Sequence, residues 1–416
     1  RGRHRLPRET NTGVHRTVSR VVIIGAGAMG AGIAQVAAQH GWDVHLQDVN
    51  DDVVSDAIEG IRARLDRLLE KERISAEDAA ASAARLQVVG DALPDCDLVI
   101  EAIIEDLDVK AGVLGELLPR LDDDAIVATN TSSLSVSQLG ERLGIAERCC
   151  GMHFFNPAPI MKLVEVVRGR NTDDSVLDQV AGIASSWGKQ VARCADTPGF
   201  IVNRVARPYY LEAFRIVEEG LAGPEDVDAT MKSLGGFRMG PLELTDFIGH
   251  DVNTATTRTV WNQWEQPDRL APSWLQESLV AEGHLGRKSG RGVYDHAGDV
   301  PRCAVQVASP RPEIPADVID AAQVFTAAAT DVEHDDGQAV VFARILTALI
   351  NEATWAAHDG VATEADIDTA VRYGVNYPRG LFEWSRAIGA QPLASLLAAL
   401  DAWSDDDRFV PPPSTS

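Results

Sequence analysis

Two groups of residues in this chain of 416 have types and spacings that could do chemistry together. The first is Gly25-Ala26-Gly27-Ala28-Met29-Gly30, a G-x-G-x-x-G turn that follows the apolar run VVIIG (21–25) and opens the alanine-rich stretch AGIAQVAAQ. In that setting Gly25 permits a tight turn and Gly27 lets a pyrophosphate approach the backbone. Gly30 allows a helix to pack closely on a sheet, and the free N–H groups at the helix start favour an anion. Asp48 stands 18 residues after Gly30, at the end of the run DVHLQD. A carboxylate there accepts hydrogen bonds from both adenine-ribose hydroxyls and repels a 2′-phosphate, and Val49, Asn50 and Asp51 offer no arginine to hold one. The expected cofactor is NAD, not NADP.

The second group is His153, in GMHFFNPAP, and Glu165, twelve residues later in KLVEVV. Asn156, Pro157 and Pro159 impose a reversal between two short extended segments, which can return Glu165 to the side of His153. Oxidising an alcohol by hydride transfer needs a base for the hydroxyl proton near neutral pH. It also benefits from a carboxylate that fixes the imidazole tautomer and stabilises imidazolium.

These residues need a scaffold, and the hydrophobic pattern supplies one. Runs at 21–25, 43–48, 86–90, 97–102, 125–129 and 162–167 read as strands, several of them apolar throughout, as strands covered on both faces must be. Helical patterns fall between them at 28–41, 51–72, 108–120, 135–143 and 174–187. The alternation implies a mostly parallel, doubly wound α/β sheet of the Rossmann type over 20–197. After Asp196-Thr197-Pro198-Gly199 only helical patterns follow, so an all-α domain is expected over 198–297. Proline-rich sequence then suggests a linker over 298–335.

Beyond it lies a repeat. A shift of 140 residues sets 211–249 against 351–389 without a gap, matching Glu212 with Glu352, Gly220 with Gly360, Asp228 with Asp368, and Gly240 with Gly380. Arg204 meets Arg344, whereas Asn203 meets Ala343. A second all-α domain over 336–408 is therefore expected, followed by a tail over 409–416. With no glycine fingerprint or His–Glu pair before it, this copy reads as structural.

Composition narrows the function class. A formal net charge of −24 speaks against nucleic acid as a partner. Five cysteines (Cys96, Cys149, Cys150, Cys194 and Cys303) lack metal-ligand spacing and fit a reduced cytoplasmic protein, with Cys149 and Cys150 as buried thiols. No apolar stretch reads as long enough to span a membrane. Residues 1–19 are arginine-rich; Pro7, Glu9 and the missing apolar face favour a disordered tail over a transit peptide.

Taken in order, GAGAMG (25–30), VIEAIIEDLDVK (99–110), NTSSL (130–134), HFFNP (153–157), MKLVEV (161–166), DTPGFIVNR (196–204), MGPLEL (239–244) and KSGRGVYD (288–295) resemble the 3-hydroxyacyl-CoA dehydrogenase family. The resemblance implies oxidation of a 3-hydroxyacyl-CoA, or the reverse reduction, with NAD and an acyl-CoA as ligands. It implies His153 as general base, Glu165 as its orienting partner, Ser132 on the substrate hydroxyl and Asn203 holding substrate. Glu105, Lys110, Asn130, Asn156 and Lys288 match positions lining the nicotinamide and ribose side of the cofactor pocket. Arg62, Arg64 and Arg67, on the helical stretch after the second strand, are candidates for CoA, with no single one fixed by motif. Ser132 could instead cap the helix that NTSSL introduces. The duplicated helical domain resembles bacterial members of fatty-acid and phenylacetate catabolism, some acting on dicarboxylic substrates, and implies a pseudo-dimer within one chain or a homodimer. The competing readings are a non-catalytic relative of the same fold, or a Rossmann dehydrogenase of another 3-hydroxy acid.

Overall fold

The computed structural model describes residues 19–90, 93–298, 300–305 and 312–413. Residues 1–18 of the expected tail lie outside the described residues. The chain forms two compact units: residues 19–103 with 116–127, and 104–115 with 128 onward. The boundary expected near Thr197 therefore falls inside the second unit.

The first unit is built on β1 (Arg20–Ile24), β2 (Asp43–Gln47), β3 (Leu86–Val88) and β4 (Leu98–Glu101), all parallel, in the order β3-β2-β1-β4. Strand order reverses between β1 and β4, the place where open α/β sheets bind ligands. β1 and β4 are buried on both faces. The helix Ala28–Gln39 starts directly from the glycine turn, and a 20-residue helix, Asp51–Glu70, is capped by the Asn50 side chain, which accepts from Asp52 N–H. A third helix, Ala76–Ala84, was not expected; its alanines give little hydrophobic periodicity to read. β5 (Ile126–Thr129) runs from the first unit into the second.

In the second unit β6 (Cys149–Phe154) pairs antiparallel with β7 (Leu163–Arg168), and β7 pairs parallel with β8 (Gln190–Ala195). The antiparallel pair follows from the short reversal at 155–162. β8 escaped the sequence reading because it is half exposed, without a continuous apolar run.

Everything after β8 is largely helical, and the two copies pack on each other. The long helix Asp336–His358 lies against the helices Arg207–Glu218 and Pro224–Gly235 of the first copy. Its start is fixed by a capping box in which Asp335 accepts from Gln338 N–H and the Gln338 side chain accepts from Asp335 N–H. By length and mean hydropathy (1.3) this helix could cross a membrane, which corrects the expectation that no stretch is long enough. Its apolar window is 89% buried within the protein, so its hydrophobicity serves the contact between copies.

That contact is reciprocal. Arg204 Nε donates to Glu352 at 2.6 Å and its Nη2 to Asp359 at 2.6 Å. Arg344 Nε donates to Glu212 at 2.8 Å and its Nη1 to Glu219 at 2.6 Å. Each residue of the second set lies 140 positions from its counterpart in the first, so residue i meets j and j meets i, the signature of a two-fold interface, here inside one chain. With the offset reduced to 139, Arg269 on Glu352 corresponds to Arg408 on Glu212, and the repeat reaches Phe409.

Two stretches expected to be irregular hold ordered segments among their described residues. The linker over 298–335 contains the helix Ala316–Ala329, whose Val318, Ala322, Phe325 and Ala329 form a buried stripe. The tail over 409–416 begins with a buried Phe409, and the Trp355 indole donates to Val410 O at 3.0 Å.

Glu212 is fully buried, and burial alone would raise its pKa. Arg344, Arg408 and Arg215 outweigh that and hold it down to about 2. Between there and the 4.5 of an unperturbed glutamate, the unfolded chain holds more protons. Its contribution to stability is therefore complete above about pH 4.5 and fades as pH falls toward 2. Arg344→Met, which strips one partner from a buried charge, should cost about 3 kcal/mol in urea denaturation and flatten that acid dependence. A loss within about 0.5 kcal/mol, the range of a surface substitution, would show that the reciprocal pairs do not hold the copies together.

Candidate active site

In the first unit the glycine turn fits a dinucleotide. Gly25 has φ +104°, and a Cβ there would lie 2.5 Å from Ala102 O. A Cβ on Gly30 would lie 1.8 Å from Gly25 O, so only glycine lets the helix start this close to the turn. Gly27, the helix N-cap, has nothing within 4 Å of its Cβ position, leaving open space before the free N–H groups. Asp48, just past β2, accepts from Ala26 N–H at 2.7 Å with Oδ2 and from Val49 N–H at 2.7 Å with Oδ1. It thus fixes the turn while each oxygen keeps a lone pair for a ribose hydroxyl.

Arg62, Arg64 and Arg67 all lie on Asp51–Glu70 but do not form one patch. Arg64 Nε donates to Gln35 at 2.7 Å, and Arg67 Nε bonds back to Ala63 O at 3.1 Å. Arg62, exposed, points about 200° around the helix from Arg64.

In the second unit the β6–β7 register places His153 opposite Glu165. His153 Nδ1 meets Glu165 Oε2 at 2.6 Å, with both side chains buried. The other carboxylate oxygen, Oε1, accepts from Val202 N–H at 2.9 Å and Ile201 N–H at 3.2 Å, at the start of the helical turn Val202–Val205 that carries Asn203. Positive φ at Gly199 (+79°) and Phe200 (+49°) turns the backbone so that those N–H groups converge on Glu165. The Phe155 and Phe200 rings, 4.6 and 5.7 Å from the imidazole centroid, give His153 apolar walls. With Nδ1 committed to Glu165, Nε2 is the nitrogen left to take a proton.

The strand-end turn after β5 gathers a second set. Glu105 Oε1 accepts from Thr131 Oγ1 at 2.6 Å, Ser132 N–H at 2.9 Å and Ser133 N–H at 3.1 Å, and Lys110 Nζ lies 3.2 Å from Oε2. Burial works to raise the Glu105 pKa, but the Thr131 hydroxyl, the Lys110 charge and the serine donors outweigh it and hold the carboxyl below its ordinary range. Glu105 therefore shapes the turn bearing Ser132, a role its sequence position did not suggest. Ser132 is not a helix cap; the helix Val136–Leu143 is capped by Ser135. Asn130 Oδ1 accepts from Phe154 N–H at 2.8 Å, tying the end of β5 to the strand carrying His153.

Asn156 is exposed on the reversal. Lys288 Nζ is engaged by Asp251, not by any of the strand-end residues. Sequence reasoning passed over Asp196, whose carboxylate accepts from Ser135 Oγ (2.7 Å), Val136 N–H (3.0 Å) and Ser137 N–H (2.8 Å), securing the helix after the Ser132 turn. Its place in the DTPG turn was the available signal.

Asp48 should decide cofactor choice. The wild type is expected to use NADH with kcat/KM at least tenfold above NADPH, and Asp48→Ser should shrink that ratio and weaken NADH binding. Equal use of the two cofactors by the wild type would sink this reading of the carboxylate.

Comparison with known proteins bears on the same residues. The model of the 3-hydroxyacyl-CoA dehydrogenase NAD binding domain matches residues 20–197, and that of the 3-hydroxyacyl-CoA dehydrogenase C-terminal domain matches 199–296 and again 340–416. The chain is 41% identical to the 3-hydroxyadipyl-CoA dehydrogenase of Escherichia coli (strain K12), over 95% of this chain and 96% of that protein. It is 39% identical to the mitochondrial hydroxyacyl-coenzyme A dehydrogenase of Homo sapiens, over 67% of this chain and 91% of the other. The crystal structure of 3-hydroxybutyryl-CoA dehydrogenase from Escherichia coli K12 substr. MG1655 aligns with a TM-score of 0.84 at 39% identity, covering 95% of this chain and 97% of that one. The chain belongs to the 3-hydroxyacyl-CoA dehydrogenase family and is an NAD-dependent oxidoreductase of that type.

Proposed function

We propose that this enzyme interconverts a (3S)-3-hydroxyacyl-CoA and its 3-oxo form, with a short-chain or dicarboxylic acyl group, in fatty-acid or phenylacetate-type catabolism. The 3-hydroxyadipyl and 3-hydroxybutyryl substrates in the names of the Escherichia coli relative and of the Escherichia coli crystal structure support that range. The observation that carries the reading is the buried His153–Glu165 pair at 2.6 Å. NAD, when bound, supplies the hydride acceptor. His153 Nε2 takes the hydroxyl proton, while Glu165 holds the Nδ1–H tautomer and offsets the charge of the imidazolium. Ser132 and Asn203 orient the hydroxyl and the thioester end. Glu105, Lys110 and Asn130 keep the Ser132 turn and the His153 strand in place, and Asn156 and Lys288, which lie apart from them, are assigned to the cofactor by their motif positions alone. Arg64 and Arg67, sharing one helix face, are better placed to meet CoA phosphates together than Arg62 is.

The reciprocal interface inside the chain supports a built-in pseudo-dimer, with the second copy in the place of a partner subunit. Buried cysteines, with Cys150 and Cys194 pushed up by burial away from thiolate, fit a reducing cytoplasmic setting.

Consumption of NADH with acetoacetyl-CoA tests the reaction. His153→Gln should lower kcat by about 10²- to 10⁴-fold with little change in NADH affinity. Near-normal turnover by that variant would remove His153 as the base, and no turnover by the wild type with any 3-oxoacyl-CoA would remove the activity.

A further inference from the structure

The helical half contains several buried arginines, and one differs from the rest. Arg204 and Arg344 each meet two carboxylates, and Arg215 meets Glu212. Arg207 is 6% exposed and forms no ion pair among the described residues. Its Nη1 donates only to neutral oxygens, Asn253 O and Thr257 Oγ1, both at the long distance of 3.3 Å. Its Nε is buried with no hydrogen-bond partner. The groups around it are phenols: the guanidinium lies 5.1 Å from the Tyr210 ring centroid, and Tyr377 is the other titratable neighbour. The Tyr377 hydroxyl is itself buried and without a partner, as is that of Thr254, one turn before Thr257. A cation and hydroxyl donors gathered out of water with no anion to receive them form a costly arrangement for a fold to keep for its own sake.

The internal repeat supplies a control. At the mirror position of the pseudo-two-fold, 140 residues away, Arg207 becomes Thr347, Tyr210 becomes Ile350 and Tyr377 becomes Phe237. Thr257 becomes Leu396 or Leu397, depending on where the one-residue gap falls. The same helical architecture therefore closes there with almost entirely apolar side chains, and the guanidinium is not a requirement of packing. The polar version occurs on the side that has Asn203; the apolar one occurs where Asn203 is replaced by Ala343.

The polar cluster also adjoins the catalytic residues. Arg207 opens the helix Arg207–Glu218, which follows the turn Val202–Val205 bearing Asn203 after the single residue Ala206. Three residues before Tyr377, Gly374 packs so tightly that a Cβ would lie 2.7 Å from Leu163 Cδ2, 3.0 Å from Val202 Cγ2 and 3.7 Å from Phe155 Cε1. Phe155 in turn touches His153.

We propose that Arg207, with the Tyr377 hydroxyl contributed by the second helical copy, binds the terminal carboxylate of a dicarboxylic 3-hydroxyacyl-CoA. It thereby selects that class over acyl-CoAs with an uncharged tail. The assignment rests on the dehydrogenase reading above and narrows it. A carboxylate is the anion a planar guanidinium and an adjacent phenol are shaped to receive. In a chain of net charge −24, a doubly anionic substrate needs a dedicated cation at its far end. An uncharged tail would leave Arg207 buried and unanswered, which penalises it. The second copy then has a part in recognition as well as in assembly.

The test compares two substrates of equal length, the CoA thioesters of 3-oxoadipic acid and 3-oxohexanoic acid, by NADH consumption. The wild type should favour the diacid at least tenfold in kcat/KM. Arg207→Met should reduce that preference at least tenfold, mainly through KM, and Arg207→Lys should fall between. Tyr377→Phe, a change small enough to fold, should reduce the preference about threefold or more. Because no acid is left behind, Arg207→Met should melt no lower than the wild type, whereas an arginine kept for structure would lower the melting temperature when removed. A wild type indifferent to the tail, or variants losing both substrates in equal proportion, would overturn the assignment. A wild type inactive on both thioesters and on acetoacetyl-CoA would instead overturn the dehydrogenase reading, and this assignment with it.

Discussion

The Glu165 carboxylate is the point on which the second unit is organised. One oxygen holds His153 Nδ1, and the other gathers two backbone N–H groups at the start of the turn that carries Asn203. A buried carboxylate is tolerable only with such company, and here the company is the proposed general base and the segment that carries Asn203. The imidazole is thereby fixed in orientation and tautomer by the same group that fixes the segment after β8. Strand, base and helix cannot move independently. The apolar rings of Phe155 and Phe200 raise the importance of this arrangement by keeping water from competing for it.

A second constraint, the reciprocal arginine–carboxylate contact, explains why the chain carries its helical domain twice. Arg204 follows Asn203 directly, and its guanidinium is held by Glu352 and Asp359 of the second copy. The helix Glu364–Gly374 also lies along β7 and β8, with Arg193 N–H donating to Asp366 at 2.9 Å and Ala195 N–H to Val361 O at 2.8 Å. The second copy therefore braces both the strand with Glu165 and the helix with Asn203. A copy with Ala343 in place of Asn203 is still part of what makes the first copy rigid, which is the condition for a preorganised site.

What could be read from the sequence was what short-range geometry determines. His153 and Glu165 are joined by a reversal of a few residues, so their pairing followed from the prolines and the extended runs around them. Asp48 and the three glycines were likewise legible, because a dinucleotide turn is built from one strand, one turn and one helix. The hold of Glu105 on the Ser132 turn was not legible, since its contact with Thr131 crosses 26 residues that no local pattern connects. The helix Ala316–Ala329 carried a readable stripe at Val318, Ala322 and Phe325, but the prolines before it dominated the reading of that stretch. Arg207 was beyond reach, because a buried arginine is unusual only when every carboxylate that could answer it lies elsewhere, and that is a property of the packed helices.

The central claim is that His153 and Glu165 work as one unit, with the carboxylate acting through the imidazole. A double-mutant cycle on kcat, with His153→Gln, Glu165→Gln and both together, measures it most directly. The account predicts strong non-additivity, the double variant being no slower than the worse single variant by more than a few-fold. Losses that multiply would show two independent contributions and contradict it.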